Sequence, residues 1–178
     1  MNGRGIGFVI GLMIGAVLVV ILFRFANTNN KIKTEYDEMQ EKIRGKAYRY
    51  SFYTAAVVQL LLAFASMCGI QLPVADYALH CLGLFTGFTV LGAYCVWNNV
   101  YWGLNNDHKK YGIIIIFGFL FNLAIVILAV MHGDLMEADG KIGLVFLNIM
   151  VVIMIAVMGI AHLARSLADR RSDSGEEN

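Results

Sequence analysis

Apolar and polar residues are not interleaved along this chain; they are sorted into blocks. Five stretches contain no Asp, Glu, Lys or Arg: 6–23, 51–70, 77–100, 111–131 and 142–164. A helix rises about 1.5 Å per residue, so about 20 apolar residues cross the roughly 30 Å hydrocarbon layer of a bilayer. None of the blocks alternates with the period of two that a membrane β-barrel strand needs. The pattern predicts an all-α polytopic membrane protein with five transmembrane helices, forming a single membrane domain over residues 1–178. Short loops join the second to fifth helices, which predicts an antiparallel four-helix bundle. The polar end, 165–178, predicts a disordered cytoplasmic tail.

The first block invites a second reading, because it follows Arg4 and has the apolar core of a signal peptide. No small-residue cleavage pattern precedes Asn27, however. Seven bases also follow the block: Arg24, Lys31, Lys33, Lys42, Arg44, Lys46 and Arg49. We read it as a retained helix. The same bases orient the chain. Segments 24–50, 101–110 and 165–178 share one side of a five-span protein, and they add Lys109, Lys110, Arg165, Arg170 and Arg171. The opposite side holds Arg4 and Lys141. Lys and Arg accumulate in cytoplasmic loops, so the N-terminus is expected outside and the C-terminus in the cytoplasm of a bacterial cell. Tyr48, Tyr50 and Tyr53, with Tyr94, Trp97, Tyr101, Trp102 and Tyr111, fall at the same interface, where amphipathic rings settle among headgroups.

Composition agrees. The chain is 58% hydrophobic and 15% charged, against about 25% charged in soluble domains. A net charge of +1 argues against a nucleic-acid partner. Pro73 is the single proline, so the helices can run uninterrupted.

The most structured polar interval is 34–50. Thr34 and Asp37 have the T-x-x-D spacing of a capping box, which predicts a helix starting there and running into the second span. Acids lead and bases follow, as the helix dipole favours, and Glu38 with Lys42 makes an i,i+4 pair. Ile32, Tyr36, Met39, Ile43, Ala47 and Tyr50 form one apolar stripe. Gly45 interrupts the helix interior and suggests a hinge.

Other features are weighed against plain packing. Gly3, Gly7, Gly11 and Gly15 share a helical face, and Gly83 with Gly87 repeats the spacing. Small residues so placed let helices approach closely in lipid, within the bundle or in a homo-oligomer. The polar residues inside the blocks are Gln59, His80, Thr86, Thr89, Asn98, Asn99, Asn122, Asn148 and His162. Interhelical hydrogen bonding accounts for them; a polar transport path is the alternative. Cys68, His80, Cys81 and His132 come to one side of the expected topology and have ligand chemistry for copper or zinc, but their spacing matches no recognised site. Cys68 and Cys81 are equally placed for a disulfide. No nucleophile elbow, zinc-protease, P-loop or dinucleotide motif occurs. Nothing calls for a cofactor.

Asp37, Glu38, Gln40, Arg44, Gly45, Lys46, Ala47, Tyr48 and Tyr50 carry one further signal. The stretch YDEMQEKIRGKAYRYSFYT resembles a segment of uncharacterised small multi-pass membrane proteins of Gram-positive (Firmicutes) bacteria, domains of unknown function. In these an acidic D-E-R-Q motif precedes R-G-K-A-Y-x-Y and then a span. Met39 stands where that motif has arginine. The likeness covers residues 36–54 and implies a bacterial plasma-membrane protein, without an activity or substrate. The sequence thus leads to a non-enzymatic interaction or scaffold protein. It would dock a membrane or cytoplasmic partner on the 34–50 helix through Glu38, Glu41, Arg44, Lys46 and Arg49. The alternative is a small transporter or channel component using Gln59, Asn122 and Asn148.

Overall fold

The apolar blocks become helices. A computed structural model describes residues 3–29, 33–137 and 139–176, with the side chains of 3–9, 12 and 171–176 outside that description. In chain order the elements are α1 (Gly3–Ala26), α2 (Glu38–Met67), α3 (Asp76–Trp97), α4 (His108–His132) and α5 (Val145–Glu176). Among the described residues there is no β-strand, only isolated bridges. Four helices, α2 to α5, are long and apolar enough to cross a membrane. In α1 the apolar stretch with described side chains is shorter, Met13–Ala26.

Three helices end in the same way. At the end of α2, the Gly69 N–H donates to the Ser66 carbonyl at 3.0 Å and the Ile70 N–H to Ala65 at 2.9 Å. At the end of α3, Asn99 donates to Val96 and Val100 to Cys95. At the end of α4, Gly133 donates to Val130 and Asp134 to Ala129. These are Schellman closures, which need a left-handed residue after the cap. Gly69 (φ 72°) and Gly133 (φ 75°) adopt that conformation easily, and Asn99 (φ 56°) is among the few other residue types that do. Asn98 and Asn99 therefore terminate α3 and do not lie inside a span, and the Asn98 amide caps the Tyr94 carbonyl at 2.8 Å.

The chain divides into two compact units: Met1–Asp37 with Trp102–Ile114, and Glu38–Tyr101 with Ile115–Asn178. In the second unit α3 is central, with α2 packed along it and α5 also packed along it. Glycine makes the α2–α3 approach possible. A Cβ at Gly83 would sit 2.8 Å from Gln59 Cγ, and one at Gly87 would sit 3.2 Å from Ala55 Cβ and from the Ser51 carbonyl oxygen. Gly92 lies against Met158 of α5 in the same manner. Between lipid-embedded helices there is no hydrophobic driving force, so small-residue contacts of this kind decide who packs with whom.

The expected four-helix bundle is not formed. α4 makes no packing with another helix comparable to α2–α3 or α3–α5. Its sequence explains this: bulky Ile, Phe and Leu surround it, and a Cβ at Gly112 or Gly118 would meet nothing within 4 Å. The tail expectation also changes. α5 continues through Arg165 to Glu176, and an i,i+4 ion pair, Arg165–Asp169 at 3.0 Å, supports this extension.

Two loops meet at the far end of the second unit. Ala75 N–H donates to the Ile142 carbonyl at 2.9 Å, and Ile142 N–H returns to Pro73 at 3.0 Å. The Tyr77 hydroxyl donates to the Glu137 carboxylate, and Lys141 pairs with Asp76.

Candidate functional site

The acidic and basic stretch before the second span forms the first turns of α2, with two corrections. The helix begins at Glu38, not at Thr34. The reason lies in Glu35: its N–H donates to Asn105 Oδ1 at 2.8 Å and its carbonyl accepts from Leu104 N–H at 2.8 Å. A backbone engaged on both sides cannot join a helical ladder. Gly103 admits this segment, since a Cβ there would lie 2.6 Å from the Glu35 carbonyl oxygen. The apolar stripe therefore loses Tyr36 from the helix, and Ile32 lies outside the described residues. The second correction concerns Glu38 and Lys42, which form no ion pair although both are described.

Of the remaining stripe, Ile43 and Ala47 are consumed within the chain and the Tyr50 ring meets that of Tyr94 at 5.4 Å, whereas Met39 is 71% exposed. Ala47 is fully buried, and with Ile43 it packs on Leu91, Tyr94, Cys95, Val100 and Tyr101. The Schellman turn at the end of α3 places Val100 for this contact and aims its carbonyl at Arg44, whose Nη1 donates to it at 3.2 Å. Arg44 Nη2 also reaches the Tyr48 hydroxyl at 3.3 Å, and the guanidinium stands 5.8 Å from the Tyr48 ring centroid. Arg44 is thus a clamp between α2 and α3, not a free docking group. At about 100° per residue, Glu38, Glu41, Lys42, Lys46 and Arg49 fall on the side of α2 opposite Ala47. All five are exposed. α2 is one unbroken helix through Gly45, whose Cβ position is open, so no hinge is present.

A second polar centre was not foreseen. In the first unit Asn27 and Asn105 are buried, 1% and 6% exposed. Asn105 Nδ2 donates to the Lys33 carbonyl at 3.0 Å and to Asn29 Oδ1 at 3.2 Å. Asn27 Oδ1 accepts from Asn106 Nδ2 at 2.7 Å and from the Tyr111 hydroxyl at 3.0 Å. Thr28 N–H donates to the Asn105 carbonyl at 2.9 Å, and Asp107 N–H to Ala26 at 3.1 Å. This amide clasp joins the end of α1 to the loop before α4. Phe23 lies 6.3 Å from Tyr111, ring centroid to centroid. Among the described residues, the polar end of α1 makes the contacts that hold it in its unit. A Cβ at Gly11 or Gly15 would meet nothing within 4 Å, and the surroundings of Gly3 and Gly7 lie outside the described residues. The sequence signal was two amide-rich loops, NTNN and NND, assigned to one side of the membrane.

Asp107 begins α4. The backbone N–H of Lys110, with that of Lys109 and the nearby Lys110 ammonium, holds its carboxyl below the usual carboxylate range, against an opposing push from desolvation.

The polar residues expected inside spans bond locally. Asn122 donates to Gly118 at 2.7 Å and Asn148 to Leu144 at 3.3 Å, each within its own helix. Gln59 crosses to α3, where its Nε2 donates to the His80 carbonyl at 3.2 Å. A cleft of about 780 Å3 opens beside Gln59 and includes neither Asn122 nor Asn148. The candidate ligands Cys68, His80, Cys81 and His132 form no metal-binding cluster among the described residues. Cys68 and Cys81 are free thiols, and Cys81 Sγ donates to the Tyr77 carbonyl at 3.6 Å instead. No known protein family, curated protein or solved structure matches this chain.

Proposed function

We propose that this is a non-enzymatic interaction protein of a bacterial plasma membrane, docking a partner on the charged face at the start of α2. The observation that carries this reading is the two-sided character of these turns. Ala47, Ile43 and Arg44 fix one side of α2 onto α3. The opposite side presents Glu38, Glu41, Lys42, Lys46 and Arg49, all exposed and with no ion pair among the described residues. A charged helix face whose backbone is already fixed on α3 suits recognition by complementary charge, because no backbone ordering is added to the cost of settling the side chains.

Five crossings, with the N-terminus outside and the C-terminus in the cytoplasm, complete the proposal. Its support is the distribution of bases and the pairing of loops. The 27–37 and 102–107 segments bond one another in one unit, and the 73–77 and 136–142 segments do so in the other. Each pair shares a side in the five-span arrangement. Transport has less support, since Asn122 and Asn148 are satisfied by their own helices.

The test is in-cell photo-crosslinking from Glu41 and Lys46, with Ile116 of α4 as a lipid-facing control. A discrete protein adduct is expected from the α2 positions, abolished by the joint reversal E38K/E41K/K46E/R49E. Lipid adducts alone, or a protein adduct indifferent to that reversal, would sink the reading. Deleting 24–50 is a poor substitute, because it removes the amide clasp as well.

A further inference from the structure

The end of α2, the 69–72 turn, the start of α3 and Lys141 line the 780 Å3 cleft. Gln59, Leu62 and Ala63 of α2 meet Asp76 and Leu79 of α3 and Lys141 of the loop. That volume lies within the range of small-ligand sites. Its residues are graded along the membrane normal. Gln59 lies eight residues before Met67, the end of α2, which is about 12 Å along the helix axis. The cleft therefore runs from the interface down into the apolar layer. Leu62, Ala63 and Leu79 form an apolar wall between the Asp76–Lys141 pair at the mouth and Gln59 at the deep end, where the Gln59 amide is bonded to the His80 carbonyl.

The mouth is an ion pair with unused capacity. Lys141 Nζ lies 3.1 Å from Asp76 Oδ1, and among the described residues neither side chain makes another bond. Asp76 is 82% exposed at its side chain. Oδ2 of Asp76 is left to accept, and two N–H of Lys141 are left to donate. The pair has no net charge, so it selects neither a simple anion nor a simple cation. It complements a group that carries both signs a few ångströms apart. An apolar channel beneath such a mouth calls for an amphiphile.

We propose that this cleft binds one phospholipid whose headgroup carries a primary ammonium and a phosphate. The phosphate sits on Lys141 and the ammonium on Asp76. The first methylenes of the acyl chains lie along Leu62, Ala63 and Leu79. A quaternary ammonium cannot donate a hydrogen bond to Asp76, and a glycerol headgroup has no cation for it, so both bind less well.

Native mass spectrometry of the full chain tests this. The protein is stripped of lipid in detergent and offered equal amounts of phosphatidylethanolamine, phosphatidylcholine and phosphatidylglycerol with identical acyl chains. Phosphatidylethanolamine is expected to be retained about threefold over the other two, the worth of one ion pair at a carboxylate 82% exposed. Asp76→Asn is expected to remove that preference, and Ala63→Trp, which fills the channel, to reduce retention of all three. Equal retention of the three lipids by the unaltered chain overturns the proposal. So does undiminished binding by Ala63→Trp, or binding of glycerophosphoethanolamine as tight as that of the lipid. Should Ala63→Trp fail to fold, the exposed Asp76→Asn substitution decides: a kept preference overturns the proposal and a lost one supports it.

Discussion

Replacing Asn105 with alanine removes three hydrogen bonds at a site only 6% exposed. The Asn105 amide donates to Lys33 at 3.0 Å and to Asn29 at 3.2 Å, and its oxygen accepts from Glu35 at 2.8 Å. Each such bond contributes about 1 kcal/mol net, so their joint loss weakens the clasp by about 3 kcal/mol. The site is polar, and water entering the space left behind keeps the figure from rising further. Local opening should become about 100-fold more frequent, at 1.4 kcal/mol per tenfold. Amide hydrogen exchange reads this directly at Thr28 and Leu104, whose N–H groups bond Asn105 and Glu35 across the clasp. Asn105→Asp sharpens the test. A carboxylate keeps the bond from Glu35, but it cannot donate to Lys33 or Asn29 and sets a buried charge against both of those oxygens, so it should protect no better than alanine. Exchange at Thr28 and Leu104 within about threefold of the unaltered chain, in either variant, would refute the claim that these bonds hold the segment.

Gly83→Ala drives a methyl to 2.8 Å from Gln59 Cγ. About 1–3 kcal/mol of overpacking should outweigh the roughly 1 kcal/mol gain in helix propensity and lower the thermal midpoint in detergent. Gly118→Ala, with open space around it, should not. Gly45→Ala should raise stability by about 0.5–1 kcal/mol, because the position is open and α2 runs straight through it; a lower melting point would revive a hinge. Asp107 has a carboxyl pKa lowered by folding. Its contribution is therefore complete above the ordinary carboxylate value of about 4 and is lost as pH falls through the lower folded value. Amide protection at Lys109 and Lys110 should fall in that acid window, and Asp107→Asn should flatten the dependence.

The helices were legible because membrane spans leave a coarse mark: long runs without charge. The junction of 34–50 with the second span was legible for the same reason. Which helices pack was not. Glycine spacing pointed to Gly83 and Gly87, but the same spacing at Gly11 and Gly15 meets no protein within 4 Å. A small-residue face shows where a helix can be approached, not what approaches it. The start of α2 was misplaced because Thr34 and Asp37 have the local grammar of a cap, whereas the Glu35 backbone is claimed by residues about 70 positions away. Arg44 was read as a surface base because its acceptor is a carbonyl, and carbonyls leave no trace in side-chain patterns. The amide clasp was invisible one residue at a time, since asparagine in a loop is ordinary. Only the joint placement of 27–29 and 105–106 gives it meaning.

That clasp also sets a schedule for the growing chain. Thr28 and Asn105 are 77 positions apart in sequence, and ribosomes add roughly 5–20 residues per second. About 4–15 s therefore pass between synthesis of the two halves. During that time Thr28 and Glu35 have nothing to close upon. A chain arrested before Asn105 would leave Thr28 and Glu35 without the partners that close the clasp. The clasp thus ties the closing of the segment after α1 to the making of the loop before α4, with α4 and α5 still to come.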